Sequence, residues 1–230
     1  MRLTEFEGLS ESDLTARARI REASIACFAE EGFDASFRTI ARRAGVSPGL
    51  ITHHFGAKVG LRAECDAEVL RRYLTLKNDG LADPSGSLLA GLRDPGVTAS
   101  LVVYLLRAIN AGGQPARDFL ESLIDSTRAV MARSVETGLV RPSLDEEARL
   151  RYLTYQAMGG LLIEFLMMPG ATPEEFVAAA RSAQSTQILP MLELFTGGMF
   201  TTRKMLDDYL DFVGDPPTEH GQPGPGDRTA

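Results

Sequence analysis

No apolar run in this chain is long enough to span a bilayer. Its most hydrophobic stretches, residues 101–109 and 161–168, are about half of what a crossing helix needs. The opening residues, MRLTEFEGLSESD, are polar and acidic and lack the apolar segment of a secretion signal. A soluble, cytoplasmic protein with no membrane partner is expected. Cysteine is scarce: Cys27 and Cys65 lie within helical patterns, have no metal-ligand spacing, and read as buried thiols of a reducing compartment. Strand signals are nearly absent, because no stretch sustains an apolar/polar alternation and Gly and Pro separate segments of helical period. The fold class expected is all-α. Also missing are a Gly-rich phosphate loop, a nucleophile elbow and a paired-carboxylate arrangement, so neither an enzyme nor a cofactor is expected.

The 230 residues suffice for one large domain, or a small and a medium one, and the apolar fraction of 44% is ordinary for a globular chain. The formal net charge of −7 argues against a protein that coats nucleic acid over its whole surface. Its distribution says more. Residues 35–63 carry five basic side chains, Arg38, Arg42, Arg43, Lys58 and Arg62, and no acidic one, whereas residues 77–230 carry 13 basic and 20 acidic. A basic island on an acidic body is the footprint of a surface that docks a polyanion, although a solvated basic helix face has the same composition.

Helical periodicity first appears over residues 15–31, where Ile20, Ala23, Ser24, Cys27 and Phe28 share one face and Gly32 supplies the stop. Ser36 is a good N-cap for a second helix over 37–44, ended by Gly45. Ser47 and Pro48 then begin a third, reaching about His54, in the run AGVSPGLITHHFGAK. Two turns of helix are unstable alone, so neighbours must hold this one through Val46, Ile51 and Phe55. Two short helices joined by a tight Gly-containing turn form a helix-turn-helix, whose second helix enters the major groove of DNA. Pro48, Gly49 and Thr52 would line its outer surface, small enough for close approach to base edges. His53 and His54 do not suggest a metal site, since they diverge on a helix and no ligand lies three or four residues away.

Further helices are expected over 57–78, 87–93, 97–111, 114–137, 145–168 and 173–195, the last kinked at Pro190, with a short one over 202–213. The Pro/Gly-rich residues 214–230 read as a disordered tail.

Residues 28–61, FAEEGFDASFRTIARRAGVSPGLITHHFGAKVGL, resemble the N-terminal DNA-binding domain of the TetR family of transcriptional regulators. The resemblance runs through Phe28, Gly32, Phe33, Ser36, Ile40, Ala41, the Ala44-Gly45-Val46-Ser47 run, Gly49, His54, Phe55, Lys58 and Leu61. It implies a three-helix DNA-binding domain over 1–56 and a helical ligand-binding and dimerisation domain over 57–213. It also implies a homodimer that binds double-stranded palindromic operator DNA and lets go when a small-molecule effector fills the second domain. Carried over by position, Ser36, Arg38, Ser47, Pro48, Gly49, Leu50 and Thr52 are implied DNA contacts, with His53, His54 and Lys58 facing the backbone or supporting the helix. Two positions depart from the family: Thr52 stands where an aromatic residue is usual, and Ala57 where a capping residue is common.

For the effector site, polar groups within nearly apolar helices nominate Tyr104, Arg107, Asn110, Tyr152, Tyr155 and Gln156, joined by the adaptable Met131 and Met158. The expected effector is hydrophobic or amphipathic. For dimerisation, Gly159 permits close approach, and Leu162, Phe165, Leu166, Leu189, Leu192 and Phe195 offer surplus apolar surface to a bundle of two helices from each subunit. The alternative reading is a helical protein that binds a hydrophobic ligand without specific DNA binding.

Overall fold

The computed structural model describes residues 11–82 and 99–214, and among these it contains nine helices and no strand. In chain order they are α1 (Glu11–Glu31), α2 (Phe37–Ala44), α3 (Pro48–Phe55), α4 (Lys58–Ala82), α5 (Ala99–Asn110), α6 (Gly113–Glu136), α7 (Glu146–Met167), α8 (Pro173–Gly197) and α9 (Lys204–Gly214). The helix expected over 87–93 and the tail beyond Gly214 lie outside the described residues. By compactness the chain divides into a first unit ending at Ser185 and a second beginning at Thr186, with the division falling inside α8.

Capping chemistry fixes the helix starts. Asp145 accepts from the Ala148 amide at 2.9 Å to begin α7. Thr172 and Glu175 form a reciprocal capping box at α8, at 2.8 and 3.2 Å. Pro190 sits inside α8, which continues past it to Gly197.

In the first unit one continuous apolar core joins α1 to α5, α6, α7 and the first part of α8. Ile20 and Phe28 of α1, Ile40 of α2, Ile51 of α3 and Leu61 of α4 are fully buried, as are Leu106, Leu123 and Phe176 farther along. Cys27 and Cys65 are buried free thiols, and burial pushes both up from the usual thiol range. The second unit differs: every described side chain from Thr186 onward is exposed or, at Ile188, half-buried.

Ion pairing ties α4 to α1. Glu68, 7% exposed, accepts from Arg71 at 2.7 and 2.9 Å and from Arg72 at 2.7 Å, with Arg21 of α1 3.8 Å away. The hydrogen bond from Arg71, opposed by burial and helped by Arg72, lowers its carboxyl from 4.5 to about 2. A carboxylate held below its unfolded value stabilises the fold above that value and loses the contribution as pH falls through the folded one. Glu68→Gln is therefore expected to lower stability at pH 7 by about 1 to 2 kcal/mol, allowing for the exposed Arg71. The gap from wild type should close between about pH 4.5 and pH 2. Urea midpoints of both proteins at several pH values check this, and a gap independent of pH contradicts it.

Candidate nucleic-acid interface and apolar pocket

The α2–α3 corner is built from local chemistry. Ser36 accepts from the Thr39 amide at 3.1 Å to start α2. Gly45, in the left-handed region at φ 66°, ends it. The Gly45 amide donates to Arg42 O at 3.4 Å and the Val46 amide to Ala41 O at 3.0 Å, the paired bonds of a Schellman motif, with Val46 packed on the core beneath. Ser47 then accepts from the Leu50 amide at 3.3 Å and Pro48 occupies the first turn of α3. α3 ends at Gly56, φ 67°.

Ile40, Ala41, Ala44, Ile51 and Phe55 face inward and are buried. Ser36, Arg38, Ser47, Pro48, Gly49, Thr52 and His53 are exposed. The remaining nominated residues sit lower. Leu50 is half-buried and packs against the core, and Lys58 is half-buried at the start of α4. His54 is half-buried between the rings of His53 and Phe55, and its carbonyl accepts from Arg17 Nη1 at 2.9 Å.

The basic island is smaller in space than in sequence. Arg43 is spent on Glu30, donating from both terminal nitrogens at 2.5 and 2.7 Å. Arg62 lies over the Phe33 ring, 3.7 Å from its centroid, and reaches Asp66 at 3.7 Å. Arg38 and Arg42 are exposed and have no carboxylate partner among the described residues.

Two supporting residues, Arg17 and Gly60, escape sequence reasoning, and a third, Arg107, is found in a role other than the one nominated. Arg17 clamps the end of α3 from below, donating to the His54 carbonyl, pairing with Glu64 at 2.8 Å and covering the Phe55 ring at 4.8 Å. Gly60 is needed for space: a Cβ there would lie 2.4 Å from the Phe55 carbonyl oxygen. Arg107 of α5 donates from Nε to Ala29 O at 2.7 Å and from Nη2 to Glu30 O at 2.9 Å, capping the C-terminus of α1. Its neighbour Tyr104 is fully buried. The Tyr104 ring meets Phe28 and Phe33 at 6.3 and 5.3 Å, and its hydroxyl donates to Asp66 Oδ1 at 2.7 Å. Burial raises the Asp66 carboxyl, while the Tyr104 hydroxyl and Arg62 pull it the other way.

An apolar pocket of about 250 Å³ lies between α4, α5 and α7. Tyr73, Leu76 and Lys77 of α4 form one wall and Leu101, Val102, Leu105 and Leu106 of α5 the other, with Met158 and Leu161 of α7 closing the side. Of the eight residues nominated for a ligand, Met158 alone lines it. Tyr104 and Arg107 occupy the opposite face of α5, where partners on α1 and α4 satisfy them. Asn110 is exposed at the end of α5, and Met131 is half-buried on α6. Tyr152, Tyr155 and Gln156 are exposed on α7, with Gln156 Nε2 donating to the Tyr152 hydroxyl at 2.9 Å.

Tyr152 and Tyr155 belong to an outward stripe along α7 with Ile163, Leu166 and Met167, which are 51 to 75% exposed, and nothing lies over Gly159 or Gly160. Leu162 and Phe165, nominated for dimer contacts, are half-buried and pack against the core, with Phe165 set edge-on to Phe176 at 5.6 Å. Leu189, Leu192 and Phe195 are exposed in the second unit.

With this geometry in hand, the chain compares closely with known proteins. Residues 20–65 match the model described as bacterial regulatory proteins, tetR family, and residues 97–201 match the model of a tetracyclin repressor-like C-terminal domain. The HTH-type transcriptional regulatory protein RaaS of Mycobacterium tuberculosis is 38% identical over 201 residues, covering 86% of this chain and 93% of that protein. The HTH-type transcriptional repressor KstR2 of the same species is 27% identical over 154 residues, covering 60% and 75%. Among solved structures, a TetR-family regulator from Rhodococcus sp. aligns with a TM-score of 0.54 at 23% identity, over 76% of this chain and 98% of that one.

Proposed function

Because this chain belongs to the TetR family of transcriptional regulators, we propose that it is a homodimeric repressor that releases its operator when an amphipathic molecule enters the pocket between α4, α5 and α7. In this reading the α2–α3 corner of each subunit docks one major groove of a palindromic site, with the two corners about 34–36 Å apart or somewhat more. Arg38 and Arg42 supply phosphate and base contacts, and the small exposed residues of α3 let its backbone come close to the bases. Gly49 fits this role. The protein itself leaves space there, since an added Cβ would meet nothing nearer than Ser47 Oγ at 3.9 Å, so the need for a small residue comes from outside.

The observation that carries the reading is α5. One face of it, Leu101, Val102, Leu105 and Leu106, forms a wall of the pocket. Its other face holds the DNA-binding helices through Tyr104 and Arg107. A molecule that displaces α5 must move the Arg107 grip on α1, and with it the corner that reads DNA. The outward stripe of α7 supports dimerisation in the same way, since a contiguous exposed apolar face marks an interface. The protein is read as acting in the cytoplasm, as a DNA-binding regulator.

The double variant Arg38→Ala/Arg42→Ala tests the DNA surface. It takes two phosphate-binding guanidinium groups from each subunit, which should cut the salt slope of operator binding by roughly 3 to 4 and weaken low-salt affinity more than tenfold. Thermal unfolding should not change, because both side chains are exposed. Arg43→Ala is the contrast: it breaks the pair with Glu30 and should affect stability rather than slope. A slope untouched by the double variant contradicts the assignment.

A further inference from the structure

We infer that the pocket between α4, α5 and α7 is built for an aliphatic chain ending in a single carboxylate. The inference rests on the reading of this pocket as the effector site and names the chemistry of what enters it. Its base and walls are aliphatic: Leu101, Leu105, Leu106 and Met158 are buried and offer no hydrogen-bonding group in their side chains. A sugar or a polyamine would lose its hydration there without compensation.

The polar groups gather at one side, and both come from α4. Tyr73 is half-buried and Lys77, one turn later, is exposed, with its Nζ 5.3 Å from the Tyr73 ring centroid. Leu76 between them is 48% exposed, so this side is the mouth. Among the described residues no carboxylate pairs with Lys77, although elsewhere on this protein arginines and lysines pair repeatedly with acidic neighbours. The Lys77 ammonium, with no carboxylate partner among the described residues, offers one positive charge beside the Tyr73 ring. That matches the single charge of a carboxylate; a phosphate monoester would keep unmatched charge.

Size sets the chain length. The cavity of about 250 Å³ restricts the guest to a short alkyl chain. A chain of that length fills the apolar part while its head stays at the mouth, against Lys77.

Calorimetric titration of the full-length protein, without DNA, tests this with three ten-carbon probes: decanoate, decanol and decylammonium, each below its micelle-forming concentration. Wild type is expected to bind decanoate about fivefold tighter than decanol, the scale of one partly exposed ion pair, and decylammonium most weakly. Lys77→Glu should reverse the order of the two charged probes. Val102→Trp, which fills the cavity from a half-buried position, should remove binding of all three while the helical circular dichroism stays intact. Failure of decanoate to bind wild type, or an unchanged preference in Lys77→Glu, overturns the inference. Operator release is scored separately: a neutral or cationic compound that releases DNA while decanoate does not bind leaves the regulator reading standing and this one overturned. Decanoate that binds in the expected order without releasing DNA supports the pocket chemistry and counts against ligand-driven release.

Discussion

Ile163→Asp combined with Leu166→Asp is expected to give a folded monomer that binds operator DNA at least 100-fold more weakly than wild type. Both side chains project from α7 and are 61% and 55% exposed within the protomer, so the fold does not need them. They lie in one line with Tyr152, Tyr155 and Met167, at the spacing of a single helix face, and the glycines at 159 and 160 leave the backbone bare between them. In an isologous interface each substitution occurs twice, so four carboxylates would have to leave water or repel one another across the contact. Several kcal/mol of penalty is more than a moderate dimer can absorb. Loss of the dimer separates the two DNA-reading corners, and with them the gain from binding two half-sites as one event. Sedimentation and thermal unfolding check the result together. A variant that unfolds assigns these residues to stability; one that stays dimeric moves the interface elsewhere, for instance to Leu189, Leu192 and Phe195.

Gly60→Ala is expected to impair DNA binding from a residue that touches no DNA. The position has no special backbone conformation; what it lacks is room. An alanine Cβ would fall 2.4 Å from the carbonyl oxygen of Phe55, and real contacts begin at about 3.0 Å, so the end of α3 or the first turn of α4 must retreat by about 0.6 Å or more. Both alternatives disturb the same assembly, because Phe55 is buried beneath α3 and Leu61 beneath α4. Overpacking of this kind costs about 1 to 3 kcal/mol of stability. The larger consequence concerns α3, whose placement decides whether its outer residues meet base edges. Operator affinity should fall by more than tenfold, while nonspecific low-salt binding through Arg38 and Arg42 survives. Titration against specific and scrambled duplexes separates the two effects. Unchanged specificity in Gly60→Ala contradicts a rigid α3–α4 corner.

The α2–α3 corner was legible in the sequence as a fold because its determinants are local. Ser36, Gly45, Ser47, Pro48 and Gly56 each act within a turn or two of chain, and the helices begin and end where these residues require. The apolar pocket was not legible in the same way. Periodicity assigns residues to faces of a helix without saying what each face will meet. Tyr104 and Arg107 looked like polar groups awaiting a ligand in an apolar helix, yet buried polar groups seek partners, and theirs were Asp66 and the carbonyls of Ala29 and Glu30. The residues that do line the pocket with Met158, such as Leu105 and Leu161, looked like ordinary core. Arg43 shows the same limit: its pairing with Glu30, 13 residues away, subtracts a charge from a basic island that composition alone would count. Gly60 carries no signal in the sequence, because its necessity comes from a carbonyl five residues earlier that the corner folds against it.

Sedimentation of the purified protein with a fluorescent duplex of the promoter beside its own gene, at low and moderate salt, counts the chains on each duplex and reads their specificity. Operator binding by a dimer requires two chains for each palindromic duplex, binding that withstands a scrambled competitor, and a steep loss of affinity as salt rises. Binding by single chains, or no preference over the scrambled duplex, would contradict it.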